Sequence, residues 1–103
     1  MKIRAGFVSN SSSSSFVLCR EFLNKKQEEA INLHIEKARV FEKKHGNIAI
    51  FGHTDDRDKW KVMWGNHIVT IETDMDNFDM PAWLDHIGVP IRAIDRYIRR
   101  GIG

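Results

Sequence analysis

Cysteine and proline are scarce in this chain, and long apolar runs are missing. Cys19 is the single cysteine among 103 residues. No internal disulfide can form, and no CxxC or Cys/His cluster exists to hold zinc, as fits a reducing compartment. The longest apolar run near the N-terminus is Phe16-Val17-Leu18-Cys19. A signal-peptide core needs roughly seven or more apolar residues, and a membrane span about 20, so neither is expected. The chain is therefore expected to be cytoplasmic, with no membrane partner. No P-loop, dinucleotide fingerprint or GxSxG elbow is present. A serine hydroxyl needs a base and an orienting group before it can attack. The expectation is a non-enzymatic protein without cofactor or metal.

What is present suits one modest core. Hydrophobic residues make up 42% and charged residues 29%, which is globular rather than disordered composition. Three Trp and six Phe supply bulk. The net charge is only +2, but it is unevenly spread. Residues 46–90 hold three Lys/Arg against eight Asp/Glu, and residues 91–103 hold four Arg against one Asp. The expected organisation is a serine-rich N-terminal segment, 1–19, read as strand-loop-strand or flexible arm, followed by a single α+β domain, 20–103.

Residues 2–8 alternate as a short strand or extended arm would. Ser11 to Ser15 read as a polar tether. Phe16 to Cys19 read as a second short strand. Residues 20–45 contain no Gly or Pro and predict one long helix, stopped by Gly46 and Asn47. At ~100° per residue, Leu23, Gln27, Ala30, Ile31, His34, Ile35, Ala38 and Phe41 share its core face. Phe22, Leu33 and Val40 cluster on a second face. That second stripe is either a further internal contact or a surface for a protein partner.

Residues 47–51 predict a strand. Residues 59–64 and 67–72 flank Gly65-Asn66, the dipeptide type that closes two-residue hairpins. That register sets Trp60 against Ile71, Val62 against Val69 and Trp64 against His67 on an apolar face. Lys59 faces Glu72, Lys61 faces Thr70 and Met63 faces Ile68 on the other. Asp79 can cap a helix with Pro81 in its first turn, and Gly88 ends it. Pro90 then opens a second helix to about Arg100. The expected order is N-terminal strand(s), long helix, three-stranded antiparallel meander and C-terminal helix pair, an α+β arrangement.

Several groups invite chemistry. His53 with Asp55 and Asp56 could bind a metal or act as an acid/base pair, the basis of an alternative reading as a small hydrolase or metal-dependent enzyme. Asp74, Asp76 and Asp85 match calcium-loop positions, but Phe78 and Asp79 do not. A solvated loop ending in a helix cap is the adopted reading. His34 falls on the apolar helix face and is read as a hydrogen-bonded core histidine. His45 sits in the last helical turn, His67 beside the hairpin turn and His86 beside the helix stop.

Two resemblances add to this. Trp83 to Gly101, with Gly88, Val89 and Ile94 at the turn and packing positions, resembles excisionase-type and resolvase-type helix-turn-helix segments. That resemblance implies a DNA-binding regulator in which Arg92, Arg96, Arg99 and Arg100 meet bases or phosphates. The plainer reading is a helical hairpin packed on the sheet, with the arginines solvating its outer face. Gly6-Phe7-Val8-Ser9-Asn10, the five serines and Phe16 resemble an N-terminal segment at the start of many small uncharacterised proteins of bacteriophages and bacteria. That implies a phage-type accessory protein in the host cytoplasm. Taken with the second helix stripe, it favours a module that binds a phage or host protein.

Overall fold

The computed structural model describes residues 13–75 and 77–100. The strand expected at 2–8 lies outside the described residues. Four strands form one antiparallel sheet: β1 (Ser13–Cys19), β2 (Lys61–Trp64), β3 (Ile68–Thr73) and β4 (Ile94–Arg100), in the order β2-β3-β1-β4. Helices α1 (Lys25–Asn32) and α2 (His34–Lys44) join β1 to β2, and α3 (Met80–His86) lies between β3 and β4. This βαββαβ connectivity is the split βαβ arrangement, with the helices against one sheet face. The α+β class holds. The three-stranded meander and C-terminal helix pair do not: residues 47–51 form no strand, residues 94–100 form one, and β1 lies between β3 and β4.

Three of the five serines belong to that central strand. Ser14, Phe16 and Leu18 alternate inward with Ser13, Ser15 and Val17 outward. β1 pairs with β3, Phe16 opposite Ile71, and with β4, Phe16 opposite Tyr97. The tether reading is thus corrected for Ser13 to Ser15. Serine has no strong strand preference, but a neighbour on each side satisfies its backbone and the Phe-Val-Leu run supplies the burial.

The expected helix over 20–45 is three pieces. Arg20–Phe22 is a 3₁₀ turn, α1 starts behind an Asn24/Gln27 capping box, and the helix breaks at Leu33 (φ −110°, ψ 36°). No Gly or Pro marks that break. It falls where His34 is recruited into the core: Nδ1 lies 2.7 Å from the Ile31 carbonyl and Nε2 accepts the Trp60 backbone N–H at 3.0 Å. These two bonds assign the neutral Nδ1–H tautomer, since one nitrogen must donate and the other accept. His34 is a core histidine with both ring nitrogens satisfied. Burial lowers its pKa below 6.5, the Ile31 bond opposes that shift, Lys59 adds to it and Glu36 opposes it. The expected core face otherwise holds, with Ala30, Ile31, Ile35 and Ala38 buried.

Residues 47–51 do not form a strand. Gly46 (φ 87°) and Asn47 (φ 61°) turn the chain, and the Phe51 N–H goes to Glu42 Oε2 at 3.0 Å instead of to a ladder. Phe51 itself is buried. The hairpin forms in a shifted register. Val62 stands opposite Ile71 and Trp64 opposite Val69, so the loop centres on Asn66 and His67. The slide is by two residues, which keeps every side chain on its expected face. Arg20 explains the shift: its backbone N–H bonds the His67 carbonyl and its side chain the Gly65 carbonyl, anchoring the loop to the end of β1.

α3 appears as expected, with Asp79 Oδ1 accepting the Ala82 N–H and Gly88 (φ 83°) beyond its end. The second helix does not. Ile91–Ala93 is a 3₁₀ turn, and residues 94–100 are strand. A β-bulge accounts for the misreading. Leu18 pairs with Ile94 and Val17 with Arg96, leaving Asp95 as the extra residue. Ile94 and Tyr97 therefore share a face despite helical spacing.

Candidate interaction edge

The feature that stands out is the side of β4 that no described strand covers. Its one neighbour in the sheet is β1. The other edge of this seven-residue strand carries no strand among the described residues. The opposite sheet edge, β2, is four residues long. An unpaired edge presents a row of backbone N–H and C=O groups, a template for another strand.

The side chains along β4 divide by register. Arg96 and Ile98 stand opposite Val17 and Ser15, on the face away from the helices. Tyr97 stands opposite Phe16, on the helix side. Tyr97 stacks on Phe16 with centroids 4.2 Å apart and planes 11° apart, yet is 44% exposed. Ile98 is 38% exposed. Before the strand, Ile91 is 87% exposed, and the Arg92 guanidinium lies 5.3 Å from the centre of the Phe22 ring, itself 37% exposed. Such cation–π contacts hold an arginine over an aromatic without neutralising it.

The candidate arginines are therefore brought to one strand and its approach, not to a recognition helix. The helix that the helix-turn-helix resemblance requires is absent. Phe22, Leu33 and Val40 do not share one continuous helix: Phe22 lies on the 3₁₀ turn, Leu33 at the break between α1 and α2, and Val40 on α2. Phe22 joins the β4 approach. Val40 lines a groove of about 450 Å³ between α2 and α3, floored by Phe41, Trp83 and Ile87 and flanked by Lys37 and Lys44.

His53, Asp55 and Asp56 do not converge into an acid/base site. All three are exposed. Arg39 holds Asp56 at 3.0 Å, and Arg57 lies 3.5 Å from Asp55. Asp55 and buried Asp58 cap each other's backbone around a 3₁₀ turn. The acidic loop places Asp79 at its helix cap, while Asp76 lies outside the described residues. No group of three or more His, Cys, Asp or Glu side chains is placed to hold a metal among the described residues. No helix among them is long and apolar enough to cross a membrane.

Sequence reasoning placed the arginines but missed the strand. The signal available was residue type: Ile94, Tyr97 and Ile98 favour strands. Comparison with protein families, curated proteins and solved structures found no significant match.

Proposed function

We propose that this chain is a non-enzymatic protein-binding module that adds an extended segment of a partner protein to its sheet along β4. The observation that carries the reading is the long edge of β4 that no strand covers among the described residues, with Ile91, Tyr97 and Ile98 exposed beside it. In strand addition, main-chain hydrogen bonds supply affinity and alternate side chains supply specificity. Both elements are on this edge. The serine-rich segment adds context: its resemblance to phage and bacterial proteins supports a phage-type accessory role in the host cytoplasm. The exposed, arginine-engaged Asp55 and Asp56 favour a binding role over catalysis.

Site-specific photo-crosslinking tests this. A photo-reactive residue at position 98 should trap one discrete partner protein in cells that express the chain. The same residue at position 40, in the α2–α3 groove, should not. A partner trapped from position 40 and never from position 98 would move the interface off β4 and refute the reading.

A further inference from the structure

We infer that the groove between α2 and α3 is a binding site for a small aromatic carboxylate, with its ring laid on Val40, Phe41 and Ile87 and its acid at Lys44. The site is separate from the β4 edge and does not depend on the strand-addition reading.

Spacing along α2 builds one wall. Lys37, Val40, Phe41 and Lys44 recur at the i, i+3, i+4 and i+7 positions that share one helix face. Two lysines thus bracket an apolar pair, about 10 Å apart along the helix axis. Across the groove stand Trp83 and His86 of α3, Ile87 at its C-cap and Ala30 of α1. The floor is held from behind. The Trp83 indole N–H donates to the Ala30 carbonyl at 3.0 Å, and Phe51 packs edge-on against the Trp83 ring at 5.0 Å. The His86 ring lies 4.3 Å from Phe41 and 5.5 Å from Trp83. An entering ligand does not have to order these rings, which lowers the cost of binding.

Size and charge define the ligand. About 450 Å³ is the size of a small-molecule cleft. A protein partner needs roughly 800 Å² of surface on each side. Of the large exposed hydrophobics only Val40 lines this groove, so its apolar surface lies inside the concavity rather than spread around it. A flat ring suits a floor that includes the rings of Phe41, Trp83 and His86, because offset and edge contacts between rings add to the burial of area. The acid belongs at one end. Lys37 already lies 4.0 Å from Glu29, and Glu36 lines the groove beside it. Lys44 makes no ion pair among the described residues, so its ammonium is open to a carboxylate. A cationic ligand would meet two lysines of its own sign and is rejected.

The test is an NMR titration of ¹⁵N-labelled full chain with three probes of one shape: naphthoate, neutral naphthamide and cationic naphthylmethylammonium. Naphthoate should shift the amides of Val40, Phe41 and Ile87 and the Trp83 indole N–H, with a Kd of about 1 mM at ordinary ligand efficiency. It should bind about threefold tighter than the amide, the worth of one exposed charge pair, with the ammonium weakest. Lys44→Gln should erase the acid-over-amide preference and leave amide binding unchanged, which also shows that the variant is folded. Lys37→Gln should keep the preference. Equal binding of acid and amide would overturn the anionic class. Loss of the preference in Lys37→Gln but not in Lys44→Gln would overturn the place given to the acid. If no probe shifts the groove signals, the site itself fails. Groove shifts that grow with protein concentration alone would make the occupant a second copy and overturn the small ligand.

Discussion

Acidification should destabilise this protein through His34. Its pKa is lowered in the folded chain, chiefly because burial penalises the imidazolium. The geometry points the same way. Nε2 already accepts the Trp60 N–H at 3.0 Å, so a proton arriving there would have to displace that bond. In the unfolded chain the ring titrates near its ordinary value of 6.5. Below that value the unfolded state binds a proton that the folded state does not. The stabilisation is thus complete above about pH 6.5, falls as pH drops below it, and is lost once pH has passed through the folded pKa. The slope can reach about 1.4 kcal/mol per pH unit within that window. Urea unfolding followed by tryptophan fluorescence would measure it, since Trp60 is buried against this site. Wild type should lose midpoint between about pH 7.5 and pH 5.5. His34→Gln can still donate and accept but cannot titrate, and should show a flatter profile over that range. His34→Ala leaves the Ile31 carbonyl and Trp60 N–H without these bonds and should cost roughly 3 kcal/mol at neutral pH. A wild-type profile no steeper than that of His34→Gln would refute this account of the core.

Two further perturbations test the fold around the site. Ser14→Pro should unfold the protein or cost about 3 kcal/mol or more by thermal melting, because Ser14 lies in a strand paired on both sides. A tether would accept the same change with little loss. Gly52→Ala should destabilise by roughly 2 kcal/mol in chemical denaturation: the residue sits at φ 78°, and an added Cβ would stand 2.5 Å from the Asn77 carbonyl oxygen. An unchanged midpoint would mean that the Gly52–Phe78 bridge is not held as closely as described.

By itself the sequence determined the α+β class, the capped helix α3, the buried face of residues 30–38 and the two-sided sorting of the β2–β3 hairpin. Each rests on neighbours a few residues apart: a cap, a turn residue or a hydrophobic period. Tertiary structure decided the rest. A polar serine run became a central strand because β3 and β4 complete its hydrogen bonds. The long helix broke at Leu33 with no local breaker, where His34 links the Ile31 carbonyl to the Trp60 N–H. The hairpin slid by two residues because Arg20, more than forty residues away, holds its loop. The arginines at 96, 99 and 100 were visible from the start, and their spacing suited a helix. Only pairing with β1, with a bulge absorbing Asp95, made them part of a strand at the edge of the described sheet. Long-range backbone pairing leaves little trace in local periodicity, which is why the residues of the candidate site were legible and its geometry was not.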